Sequence, residues 1–104
     1  MVKDRIENLP VYYPLDERLK SLSERRSGKV KEYHSFSIDK ECSNLFFVSK
    51  GAISAATGWR ENRENREVTA AVRVEEGEFV LFLPSEPIAV KEDEGSEVEH
   101  WRLK

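Results

Sequence analysis

Apolar and polar positions change period several times along this chain, and each change marks an element. Leu15, Leu19 and Leu22 recur at i, i+4 and i+7, with Asp16 and Glu17 ahead and Arg25 and Arg26 behind, which suits a helix dipole. Pro14 fits its first turn and Ser27-Gly28 its exit, so an amphipathic helix over about residues 15–26, laid against a sheet, is predicted. From Lys29 the period becomes two. Val30, Glu32, His34, Phe36 and Ile38 share one face of a half-buried strand, and Lys31, Tyr33, Ser35 and Ser37 the other.

A polar turn, Asp39 to Asn44, leads into Leu45-Phe46-Phe47-Val48, a continuous apolar run suited to a strand covered on both faces and expected to close a hairpin with the one before it. Gly51 to Gly58 fits a short strand or an irregular crossing equally well. Trp59 and the tandem Arg-Glu-Asn run to Glu67 have no apolar face and read as a solvated loop or ribbon tip. Val68, Ala70, Val72 and Val74 alternate in one strand. Beyond a turn at Gly77 they are mirrored by Phe79, Leu81 and Leu83, with Val80 and Phe82 behind. Ile88-Ala89-Val90, an acidic turn at Gly95 and Val98 to Leu103 complete the pattern. The prediction is one all-β domain over residues 1–104, a barrel or sandwich of about six or seven mainly antiparallel strands with one N-terminal helix.

Composition sharpens this picture. Charged residues make up 36% of the chain and hydrophobic ones 38%, so the core is small and the surface densely charged. Exposed strand edges in so small a domain favour cover by a second subunit, and a homodimer is expected. Glutamate supplies 16 of the 20 acids and glutamine is absent, a heat-adapted leaning. The single Cys42 forms no internal disulfide, and no apolar run approaches the ~18 residues of a membrane span. With a charged start and no apolar stretch after it, no signal peptide is expected, and the cytoplasm is the expected location. Residues 1–73 carry 14 basic and 11 acidic groups, residues 74–104 only 3 against 9, so no unbroken basic face for nucleic acid is expected.

Candidate chemistry is sparse. With only His34 and His100, a three-histidine metal site is impossible; His34, His100 and a glutamate such as Glu32 would be the minimal acid–base or metal set, against satisfied structural histidines as the commoner role. Cys42 lacks the cationic neighbourhood of a reactive thiol. Trp59 with Arg60, Arg63 and Arg66 is the best candidate for gripping a macromolecular partner, because indoles stack and guanidinium groups fork onto anions. The interleaved Glu61, Glu64 and Glu67 favour local ion pairs or a charge-matched protein contact over nucleic acid.

The block GEFVLFLPSEP, Gly77 to Pro87, resembles a segment of the YhcH/YjgK/YiaL-type family of small cupin-like proteins, which includes the β-galactosidase β-subunit type. Ile6-Glu7-Asn8-Leu9 with Arg18-Leu19, Ser43-Asn44-Leu45-Phe46, and Glu97 to Lys104 are similar to the family's opening, first hairpin and closing strand. The resemblance implies a double-stranded β-helix barrel with a cavity, sugar handling, and often a bound metal ion. Two departures argue against the metal: Ile88 stands where the family places a cavity histidine, and Gly51 to Trp59 holds no counterpart of its glutamate and histidine.

The combined expectation is a small cupin-like binding or accessory protein without catalytic residues, metal or cofactor. Its sugar-like ligand would be held by His34, Tyr33, Phe36, Phe47, Phe79 and Leu81. The alternative is a regulatory protein of viral or mobile-element type that binds a protein or nucleic acid through Trp59, Arg60, Arg63 and Arg66. A residual enzyme using His34, Glu32 and His100 is a third reading.

Overall fold

In a computed structural model, residues 1–9, 24–28, 36–61, 66–68 and 70–103 are described, with 24–28, 60–61 and 66–68 described by their backbone alone. These residues hold eleven strands: β1 Val2–Arg5, β2 Glu24–Gly28, β3 Ser37–Ile38, β4 Ser43–Lys50, β5 Ala52–Ala56, β6 Trp59–Glu61, β7 Arg66–Val68, β8 Val72–Glu75, β9 Glu78–Phe82, β10 Pro87–Glu92 and β11 Glu97–Leu103. A 3-10 turn at Ile6–Asn8 follows β1.

The strands form a five-stranded sheet in the order β1-β9-β4-β11-β2, a four-stranded sheet in the order β3-β10-β5-β8, and a separate β6-β7 ribbon. Every pairing among the described residues is antiparallel. Among the described residues neither large sheet closes on itself, and the architecture they form is two open sheets.

Residue alternation explains why the two sheets stay together. Phe46 and Val48 of β4, Val80 and Phe82 of β9 and Val98 of β11 point from the five-stranded sheet into one cluster with Ile53, Ala55, Val74, Ile88 and Val90 of the four-stranded sheet. The interleaved residues Leu45, Phe79, Leu81 and Leu103 point the other way and bury themselves with Leu9. Strands β4 and β9 are therefore apolar on both faces, as the continuous run at 45–48 requires. Phe79, Phe82 and Val80 are fully buried, and Phe46 and Phe82 meet edge to face, 5.9 Å between centroids, an arrangement aromatic pairs prefer.

Several expectations change here. Glu24–Gly28 is a strand hydrogen-bonded to β11, so the expected helix does not run to residue 26, and its span 15–23 lies outside the described residues. A segment rich in arginine and glutamate suits an outer strand, where charge discourages further pairing. The strand expected over 29–38 is seen only at Ser37–Ile38; residues 29–35 lie outside the described residues. β3 and β4 do not form a hairpin, because β3 pairs with β10 and β4 with β9 and β11.

The expected hairpin about Gly77 is likewise a crossing between sheets: β8 pairs with β5, while β9 pairs with β4 and β1. Gly77 sits at φ +84 there; its N–H donates to the Val48 carbonyl at 2.9 Å and its carbonyl accepts from the Ile6 N–H at 2.9 Å. The single strand expected through Val68, Ala70 and Val74 is broken, with β7 in the ribbon, β8 in a sheet, and Ala70 at φ +54 between them. Ala52–Ala56, undecided from sequence, is β5.

Candidate functional site

Toward one end of β4 and β11, two inner strands of the five-stranded sheet, the inward side chains turn polar. On β4 the inward series is Val48, Phe46, Asn44, and on β11 it is Val98, His100, Arg102, with His100 opposite Phe46 and Arg102 opposite Asn44. Asp39, just after β3, completes the group. Its carboxylate accepts from Arg102 Nε at 2.8 Å and Arg102 Nη2 at 3.3 Å, from Asn44 Nδ2 at 3.0 Å, and from the N–H groups of Glu41 and Cys42 at 3.1 Å each.

The network extends to the histidine. With Asn44 Nδ2 donating to Asp39, Asn44 Oδ1 is the acceptor for His100 Nε2–H at 2.6 Å, and the imidazole lies flat on Phe46, 4.3 Å between centroids and 9° from parallel. The arginine bond above all holds the Asp39 carboxyl far below the usual carboxylate range; partial burial opposes the shift, and the Asn44, Cys42 and Glu41 bonds add to it. Asn44 is buried at 3%, but the Arg102 side chain keeps 32% and Asp39 17% of their surface exposed, so solvent reaches the group.

The rim is tied to the same carboxylate-bearing residue. Ser85 N–H donates to the Asp39 carbonyl at 2.7 Å from a left-handed backbone, φ +71, a conformation non-glycine residues adopt at a cost. Glu86 closes that turn by accepting the Leu83 N–H at 2.7 Å, and Ile38 and Leu83 are the exposed large apolar side chains of the described chain.

The residues expected to hold a ligand are partly regrouped. Phe79 and Leu81 do come together, with Phe47 packed against their cluster, but on the outward face of the five-stranded sheet and not between the sheets. Phe36 lies elsewhere, edge to face with Trp59 at 5.5 Å. Tyr33 and His34 lie outside the described residues, as does Arg63. Trp59 is half-buried, and in the β6-β7 register Arg60 stands across from Glu67 and Arg66 across from Glu61.

Asp39, Asn44 and Arg102 were not singled out by sequence, because Asp39 to Asn44 has the composition of an ordinary solvated turn. The signal that could have found them is the polar switch in period: Asn44 and Arg102 occupy positions in phase with buried Phe46, Val48 and Val98. Cys42 is buried. Among the described residues no group of three or more His, Cys, Asp or Glu could hold a metal ion, and no helix is long and apolar enough to cross a membrane. No protein-family model, curated protein or solved structure matches this chain.

Proposed function

We propose that the protein is a small cupin-like binding protein that takes a sugar-like polyol at the polar end between its two sheets, and is not a metal-dependent enzyme. The observation that carries this reading is the switch of inward side chains from Phe46, Val48 and Val98, which join the apolar cluster between the sheets, to Asn44, His100 and Arg102. A polyol offers adjacent hydroxyls that both donate and accept. An amide, a carboxylate, a guanidinium and an imidazole fixed by mutual bonds match that pattern, and a pre-organised set lowers the ordering cost of binding.

The strand orders support the architecture in this reading. β2-β11-β4-β9 facing β3-β10-β5-β8 is an eight-strand arrangement of two Greek keys, the jelly-roll plan that cupins share, with β1 added at one edge. Ile88, where the resembling family carries a histidine, is buried in the apolar core at 3% exposure, which supports binding over metal chemistry.

Titration calorimetry with a panel of aldoses, ketoses and sugar acids tests the reading. At least one should bind, and Asn44→Ala and His100→Ala should each weaken it about tenfold or more with the fold retained by circular dichroism. No heat across the panel, or affinity unchanged in both variants, would overturn it.

A further inference from the structure

The two sheets differ in width by one strand, and the mismatch leaves an open place beside β8. β8 is the end strand of the four-stranded sheet and lies against β9, while β1 continues the other sheet one strand past β9. Among the described residues no strand of the four-stranded sheet stands opposite β1. Met1, ahead of β1, and Val72 of β8 pack on the apolar cluster here but are only partly buried. Bonding phase shows what β8 offers on its open side. Ala52 turns its main-chain groups away from β8: its carbonyl accepts from the Asp93 N–H at 3.0 Å and its N–H donates to Ser96 Oγ at 3.1 Å. Bonded and unbonded partners alternate along an antiparallel ladder, so Val72 and Val74 bond β5 while Arg73 and Glu75 aim their main-chain groups outward. The Glu75 N–H accordingly donates to a side chain of β9, Glu78 Oε1, at 2.8 Å.

We propose that this place takes an extended peptide as an added strand on the β8 edge, antiparallel to β8, with a basic residue opposite Glu75 and β-branched apolar residues opposite Val72 and Val74. Main-chain bonds to Arg73 and Glu75 supply the attachment, the mode by which exposed sheet edges capture peptides. Alternation fixes the side chains. Residues opposite Val72 and Val74 point between the sheets, where Met1 lies and where Lys3, across from inward Val80, shares the face. The residue opposite Glu75 points outward beside an exposed carboxylate. Arg73 is already forked onto Asp93, with Nη1 at 2.9 Å, so Glu75 is the charge that selects. A second copy does not fit the place, because its β8 would carry its own β9 into the layer that β1 already fills. Glu78 guards the edge, and a peptide carbonyl replaces it on the Glu75 N–H.

The test uses the full chain and the peptide acetyl-Thr-Lys-Val-Thr-Val-Thr-amide, whose Lys falls opposite Glu75. In nitrogen–proton correlation spectra it should shift the Arg73 and Glu75 amides. The same peptide with Glu in place of Lys should bind about threefold to tenfold more weakly, and Glu75→Lys in the protein should reverse that order. N-methylation of the peptide's Lys nitrogen, which removes a donor to the Glu75 carbonyl, should abolish the shifts. Glu78→Ala, which uncaps the Glu75 N–H, should tighten binding. Four results would overturn the proposal: no shifts at β8 with millimolar peptide, the Glu peptide binding as well as the Lys peptide, binding indifferent to N-methylation, or the same amides shifting with protein concentration alone, which would assign the edge to a second copy.

Discussion

Replacing Asp39 by alanine removes the acceptor on which one end of the molecule converges. Five donors lose this acceptor: both bonded nitrogens of Arg102, Asn44 Nδ2, and the N–H groups of Glu41 and Cys42. The part-buried arginine pair, with side chains 32% and 17% exposed, falls between a surface pair and a fully buried one and contributes about 1–2 kcal/mol. Asn44, at 3% exposure, keeps a longer bond to the Cys42 carbonyl at 3.4 Å, so its stranded amide costs about 1 kcal/mol. The two backbone N–H groups add about 1 kcal/mol together, because water reaches the exposed Glu41.

The expected loss for Asp39→Ala is therefore about 3–4 kcal/mol, a large part of the stability of a domain this size. Asp39→Asn keeps the shape and one acceptor and should lose about half as much. Acid dependence gives a second handle. The folded carboxyl is depressed below the ordinary value of about 3.9, so below that pH the unfolded chain binds the extra proton and stability falls as pH falls. The contribution is complete above about pH 4 and is lost on acidification through the lowered folded value. Urea unfolding between pH 2 and 6 should show a steeper acid loss in the wild type than in Asp39→Asn, the difference isolating this residue from the many glutamates. The reasoning fails if Asp39→Ala lies within about 0.5 kcal/mol of wild type, or if the two acid profiles run parallel.

Other perturbations follow from the same contacts. Gly51→Ala should cost about 2–4 kcal/mol in chemical unfolding, because Gly51 sits at φ +82 and a Cβ there would lie 2.4 Å from Ser96 Oγ and 3.0 Å from Ser96 Cα. Ser96→Ala should cost about 1–3 kcal/mol, since the buried hydroxyl accepts from the Ala52 N–H at 3.1 Å and donates to the Ala52 carbonyl at 2.9 Å. Ser85→Gly should raise the thermal midpoint slightly, by less than about 1 kcal/mol in stability, because relief of the left-handed backbone outweighs the added chain entropy.

How far the sequence carried depended on whether a feature was local. The faces of β4, β9 and β11 were legible because alternation alone decides which side a residue takes, and the run 45–48 correctly implied cover on both sides. Strand neighbours were not legible. β4 lies beside β9 and β11, and nothing in the period says that Phe46 meets Val80 and His100 rather than a residue of the preceding strand. Glu24-Arg25-Arg26 satisfies a helix C-terminus and a charged outer strand equally well, and long-range pairing with β11 decided for the strand. The polar group was hidden for the same reason: Asp39 and Arg102 are 63 residues apart, and each looks solvated until the strands bring them together.

The central claim is that the polar end between the sheets is where the ligand sits. Nitrogen–proton correlation spectra recorded with the best-binding sugar of the panel test it most directly, because every backbone amide reports at once. Shifts concentrated at Asp39, Asn44, Ser85, His100 and Arg102 are the predicted result. Shifts confined to the outward face, at Ile6, Leu9 and Trp101, or no shifts at saturating sugar, would contradict it.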